Sequence, residues 1–281
     1  MYFRKVWEAV MQHERIYLDP NDNRVYIDTY VADLGECRPA MLVIPGGAYL
    51  EVCADREGEP IAIDFLAKGY NAFVLNYRTG WGTAPFAQLI DAARAMIYLR
   101  ENATHLKIDP KRVFAVGFSA GGHLCYALAT MYEYPEVKAV FGEKCALIRP
   151  TGIISGYGVA ILNRNKPSGT YRIFAAKDEF TEDDVERLSI EKIVTPTSSP
   201  MFIWHTAEDK SVNQDVAMIM GMALKRVGVP HYVAVYPYGG HGSSLATEIT
   251  AREGRSDIQP LAANWTGAAA AWLSTLPDSN I

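Results

Sequence analysis

A serine, an acid and a histidine, far apart along the chain, stand where together they could make a nucleophile. Gly117-Phe118-Ser119-Ala120-Gly121 is a G-x-S-x-G pentapeptide set between an apolar run, VFAV, and a helical stretch, HLCYALA. A chain that turns sharply here presents Ser119 in a strained conformation at the end of a strand. Gly117 and Gly121 lack the Cβ atoms that would collide around such a turn. A serine hydroxyl is weakly nucleophilic until a base takes its proton and an acid orients that base. Asp209 follows the run MFIWHT in the loop HTAEDKSV, and His241 follows YVAVY in PYGGHGSS, whose glycines let an imidazole reach across. Ser119, Asp209 and His241 are therefore the expected catalytic set.

Other candidates fit less well. Glu208 neighbours Asp209 but points differently, and Asp215 falls in the first turn of the next helix. His205 sits inside a strand and reads as packed or hydrogen-bonded. His123, just after Ser119, is badly placed as a base and is expected on the pocket floor. His13, His105 and His231 have no motif around them. An oxyanion formed when Ser119 attacks a carbonyl needs backbone donors. Ala120, next in the chain, provides one, and the loop Pro45-Gly46-Gly47-Ala48-Tyr49 is suited to provide more.

The elements that must position these residues alternate in type. Strands are expected at 25–32, 40–45, 70–77, 113–118, 152–157, 201–206 and 232–236. The first is partly exposed; AMLVIP at 40–45 is continuously apolar, as a buried parallel strand would be. Helices are expected at 60–68, 85–100, 120–131, 213–227 and 261–276. Repeated βα units imply an α/β fold: a mostly parallel sheet with helices on both faces. The stretch 160–200 breaks this rhythm with an Asn/Lys/Pro/Gly run, an acidic run and TPTSSP. It is expected to form a small cap beside the active site rather than a solvated excursion with one surface helix. Residues 1–281 are read as one domain carrying that insertion.

With 281 residues, 49% hydrophobic and 21% charged, the chain can fill a sizeable core. A formal charge of −5 argues against a nucleic-acid binder. Charges at Arg4, Lys5, Glu8, His13, Glu14 and Arg15 interrupt the N-terminus, so no signal-peptide-length or membrane-spanning apolar run is expected. Cys37, Cys53, Cys125 and Cys145 match no zinc or redox spacing. They read as reduced thiols of a cytoplasmic protein, with Cys125 in the core. No metal or organic cofactor is implied.

PGGAY, GFSAGGH, HTAEDKSV and GGHG, in this order and spacing, resemble the acetyl esterase and lipase branch of the α/β-hydrolases. That branch is related to the hormone-sensitive-lipase group and includes acetylxylan-type esterases. The resemblance spans roughly residues 25–276. It implies Gly47 and Ala48 as oxyanion donors beside Ala120, with Pro45 where lipase-like relatives carry the histidine of HGGG. The support behind the loop must then differ. It also implies a short acyl ester, acetyl on a sugar or xylo-oligosaccharide, hydrolysed through an acyl-enzyme. The chain before the oxyanion loop is short for a large lipase cap. Tyr49, Trp81 and Tyr157 could offer aromatic faces to a sugar or belong to the core. With His123, Tyr49 and Tyr157 are the expected substrate contacts. The expected partner is a small-molecule or oligosaccharide ester, without nucleic acid or membrane; a homo-oligomer is left open. Two rivals stand beside this reading: a small amide hydrolase or peptidase using the same triad, and a non-catalytic binding protein that kept the fold.

Overall fold

The apolar runs become strands and the amphipathic stretches between them become helices. The computed structural model describes residues 10–253 and 257–280. Residues 1–9, part of the N-terminal stretch discussed above, lie outside them. In chain order the elements are β1 (Val10–Gln12), β2 (Arg15–Tyr17), β3 (Tyr26–Asp33), β4 (Arg38–Ile44), α1 (Ala54–Glu57), α2 (Glu59–Ala67), β5 (Asn71–Asn76) and α3 (Ala87–Glu101). There follow β6 (Ile108–Phe118), α4 (Ala120–Thr130), α5 (Pro135–Phe141), β7 (Ile153–Gly156), α6 (Gly169–Ala175), α7 (Glu182–Leu188) and α8 (Ile190–Ile193). The chain ends with β8 (Met201–Thr206), α9 (Asp215–Val227), β9 (His231–Tyr236) and α10 (Trp265–Ser274).

The strands form one sheet in the order β1-β3-β5-β4-β6-β7-β8-β9, with β2 also pairing β3. From β5 to β9 every pairing is parallel. Antiparallel pairing is confined to the N-terminal edge, where β3 meets β1, β2 and β5. Alternation along β4 shows why its run is apolar throughout. Ala40, Leu42 and Ile44 enter the core on one face, and Met41 and Val43 enter the core on the other.

The chain leaves β4 for β5 on one side and then crosses to β6 on the other, so the winding reverses at β4. Ligands of open parallel sheets bind at such a reversal, beyond the carboxyl ends of the strands. The 45–49 loop follows β4, Ser119 follows β6, Asp209 follows β8 and His241 follows β9, all at that end of the sheet. Among the described residues no helix is long and apolar enough to cross a membrane, and the four cysteines are unpaired, Cys125 fully buried.

The stretch 160–200 is not one surface helix in a solvated excursion. It carries α6, α7 and α8, and its apolar residues Leu162, Tyr171, Phe174 and Phe180 are buried in the main core. Thr181 caps α7 through a capping box with Asp184. Ser168 caps α6 by accepting the Tyr171 N–H.

Candidate active site

Ser119 stands between β6 and α4 with φ +53° and ψ −116°, a conformation that L-residues rarely adopt. The neighbouring glycines make that turn possible. A Cβ on Gly117 would lie 2.2 Å from the Gly121 carbonyl oxygen, and one on Gly121 would lie 2.1 Å from the Ile44 oxygen. Gly121→Ala is therefore expected to overpack α4 against β4. A loss of about 1–3 kcal/mol, read as a lower urea midpoint, is the expected result.

The turn aims the Ser119 hydroxyl at His241, whose Nε2 lies 2.9 Å from Oγ. The His241 Nδ1 lies 2.7 Å from Asp209 Oδ2. An ionised carboxylate can only accept, so Nδ1 carries the proton and Nε2 is left to accept from Ser119. Asp209 is kept ionised: burial alone would push its carboxyl up, but the His241 hydrogen bond and charge, with the Val212 and Ser211 N–H groups, outweigh it and hold it below its ordinary value. Those two N–H groups donate to Oδ1 at 2.9 and 2.8 Å. The structure thus brings together the three residues expected from the sequence, and the arrangement can move a proton from serine to imidazole.

The rival groups lie elsewhere. Glu208 accepts the Gly239 N–H at 3.0 Å, and Asp215, the first residue of α9, accepts from the Asn213 side-chain amide at 3.1 Å while its own N–H donates to the Asn213 oxygen. His205 is buried with its Nδ1 accepting the Thr206 N–H, and its Nε2 is 3.9 Å from Asp209 Oδ2. Burial pushes its imidazole down, towards the neutral form.

Two of the three expected oxyanion donors face the same space. Gly47 and Ala48 line a cavity of about 440 Å³ together with Ser119 and His241. Ala120 is the first residue of α4, so its N–H has no acceptor within the helix. The loop takes left-handed conformations at Gly47, Ala48 and Tyr49 (φ +122°, +55° and +61°). Ala48, Tyr49 and Ser119 join Tyr157 and Ser244 as non-glycine residues with positive φ around the site, and such strain gathers where geometry serves function.

The three expected substrate contacts are placed differently. Tyr49, His123 and Tyr157 have no exposed surface. The left-handed turn at Tyr49 sends its ring inward, where its hydroxyl lies 2.9 Å from His123 Nδ1. His123 is packed edge-on against Tyr171 and Phe174 of the insertion. Burial holds its imidazole down at about 3. Tyr157 packs edge-on beneath the His241 ring, 5.1 Å between centroids. All three support the site from behind instead of facing a ligand. Trp81 is exposed, but it lines a separate cavity with Arg172.

Several neighbours were not expected from the sequence. The insertion contributes Ser168, Gly169 and Thr170 to the cavity wall, which Leu50 and Arg56 also line. Arg56 donates to the Gly242 carbonyl and Arg252 to the His241 carbonyl, at 3.1 and 2.7 Å. Arginine in a loop gives no sign in sequence that it clasps a distant backbone. A second cavity, of about 540 Å³, is also lined by His241, together with Glu208 and Lys210. Among the described residues no cluster of His, Cys, Asp and Glu could hold a metal ion.

Known proteins share this architecture. Endo-1,4-beta-xylanase B of Butyrivibrio fibrisolvens is 35% identical over 219 residues, covering 75% of this chain and 33% of that one. The acetylxylan esterase of Xylanibacter ruminicola is 38% identical over 105 residues, 36% of this chain and 21% of that one. The chain thus spans a third or less of these two curated relatives. A solved acetyl ester-xyloside bifunctional hydrolase from Caldicellulosiruptor lactoaceticus superposes with a TM-score of 0.79 at 29% identity, covering 95% of this chain and 97% of the other. A carboxylesterase from Lactobacillus plantarum gives a TM-score of 0.80 at 26% identity, with 96% and 100% covered. The sequence pattern of the BD-FAE family matches residues 27–224. The chain has the α/β-hydrolase fold and belongs to the BD-FAE family.

Proposed function

We propose that the chain is a serine esterase that hydrolyses short acyl esters, acetyl first, on sugars such as xylo-oligosaccharides. The observation that carries this reading is the hydrogen-bonded line from Ser119 Oγ through His241 to Asp209, opening on the cavity that Gly47 and Ala48 line. His241 Nε2 takes the Ser119 proton as Oγ bonds to the ester carbonyl carbon. The oxyanion is held by the N–H groups of Gly47, Ala48 and Ala120. The carbon–alcohol bond then breaks, and the imidazolium returns the proton to the leaving alkoxide. Water repeats the sequence on the acyl-enzyme, releasing the acid and restoring Ser119. Residues 160–200 serve as a small cap on this single unit. The sugar half of the proposal draws its support from relatives named for acetylxylan and acetyl ester-xyloside hydrolysis.

The acyl half draws support from the cap. A long acyl chain needs an apolar channel, worth about 0.8 kcal/mol per buried CH₂. The cap's large apolar side chains are committed to the core, Phe174 stacking on Tyr49 and meeting Phe86 edge-on. What the cap turns to the cavity is Ser168, Gly169 and Thr170. Among p-nitrophenyl acetate, butyrate, octanoate and laurate, kcat/KM is expected to be highest for acetate, and acetylated xylo-oligosaccharides are expected to release acetate. A maximum at octanoate or beyond would overturn the short-chain preference. Turnover of the artificial ester without acetate release from any acetylated sugar would remove the sugar. Faster turnover of matched amides would favour an amide hydrolase.

A further inference from the structure

We infer that Glu57 is a positioning residue that ties the oxyanion loop to the His241 loop by way of Tyr157, an inference that rests on the esterase reading above. Glu57 ends the short helix α1 and is 3% exposed. One carboxylate oxygen, Oε2, accepts the Gly46 N–H at 2.8 Å. The other, Oε1, accepts the Tyr157 hydroxyl, also at 2.8 Å. That hydroxyl in turn accepts the Ser244 N–H at 3.0 Å, three residues after His241. Ser244 is fixed from two further sides: its Oγ donates to the Arg56 carbonyl, and its own carbonyl accepts the Trp265 indole N–H.

The contacts are close enough to fix a position. A Cβ on Gly46 would lie 2.8 Å from Glu57 Oε2 and 2.6 Å from the Phe118 carbonyl, so the loop is seated directly on the carboxylate and on the strand leading to Ser119. Gly46 immediately precedes Gly47 and Ala48, whose amide directions follow from how Gly46 is held. At the other end, Tyr157 and Ser244 both have positive φ, +39° and +51°, and need their bonds to keep that conformation. Tyr157 also carries its ring beneath His241.

A carboxylate is costly to bury. Burial pushes the Glu57 carboxyl up, against the Tyr157 and Gly46 hydrogen bonds and the Arg56 charge that lower it. If the site needed only filler, an apolar side chain would do. A carboxylate can accept from two directions at once, and here the two donors belong to the two loops that must keep register with Ser119.

Glu57→Gln separates positioning from bulk. The amide has one acceptor and one donor group, so it cannot serve both Gly46 and Tyr157 as the carboxylate does. The expected result is a fall in kcat of about 10²-fold, the scale set by small misplacements of catalytic groups. KM should stay close to the wild type, and the affinity for a short alkyl trifluoromethyl ketone, which mimics the oxyanion, should fall in parallel with kcat. Tyr157→Phe keeps the carboxylate but cuts the bridge. It should lower kcat less, and combined with Glu57→Gln it should add little, because both break one connection. A kcat close to wild type in a folded Glu57→Gln protein would overturn the inference, as would a loss carried by KM with the ketone affinity unchanged. If Glu57→Gln does not fold, Tyr157→Phe decides by the same readouts; failure of both to fold would assign the pair to stability and overturn it equally. A wild-type protein that turns over no ester removes the esterase reading itself.

Discussion

Ser119→Ala is expected to lower kcat by about 10⁶-fold, the loss found when the nucleophile of a working triad is removed, while the protein still folds. Both residues carry a Cβ, so the strain of the φ +53° turn is the same in either. The backbone bonds that hold the turn, from the Ser119 N–H to the Gly156 carbonyl and from the His123 N–H to the Ser119 carbonyl, do not involve the side chain. Only Oγ and its bond to His241 are lost. Ser168 and Ser211 line the same cavity, but Ser168 Oγ accepts the Tyr171 N–H as a helix cap, and His241 Nε2 is directed at Ser119. A fluorophosphonate should therefore label wild-type protein at Ser119 and leave the variant unlabelled. Label on another serine, or activity surviving in the variant, would refute Ser119 as nucleophile.

The legibility of this protein follows what each residue type reveals along a chain. β4, β5, β6, β7 and β8 are legible because both faces of the central sheet are buried, leaving continuous apolar runs. β1 and β2 are three residues each and too short for any period. The start of β6 at Ile108, five residues before its apolar run, is not legible because Asp109, Lys111 and Arg112 are polar, Pro110 interrupts the run, and all four residues are half-buried or exposed. α6 and α7, at seven residues each, also escape a helical period. The 160–200 stretch therefore looks more polar and less attached than it is, with Phe174 and Tyr171 fully buried. Ser119, Asp209 and His241 are legible as a set because each stands in the turn or loop after a recognisable strand. Direction is not legible: Tyr49 and His123 adjoin motif residues yet turn into the core. Glu57 gives no signal because an acidic residue in the run ADREGEP looks exposed by default. Only the fold brings it under Gly46.

Asp209→Asn is expected to lower kcat by about 10⁴-fold, as the loss of the orienting carboxylate does in such triads. The direction of the effect follows from the partners of Asp209. Its Oδ1 accepts the N–H groups of Ser211 and Val212, so an asparagine must place its oxygen there and turn its amide nitrogen to His241. That nitrogen donates to Nδ1, which pushes the imidazole proton to Nε2. Nε2 then donates towards Ser119 when catalysis needs it to accept. Binding is untouched by this change, so KM should stay near the wild-type value while kcat falls. His205 is not expected to substitute, since its Nε2 lies 3.9 Å from Asp209 and the Ser119 hydroxyl is hydrogen-bonded to His241. Glu208→Gln is the contrasting variant: its side-chain oxygen can still accept the Gly239 N–H, and kcat should stay near the wild type. If Glu208→Gln loses activity while Asp209→Asn keeps it, the orienting acid is Glu208 and the hydrogen-bonded line through Asp209 is not the catalytic one.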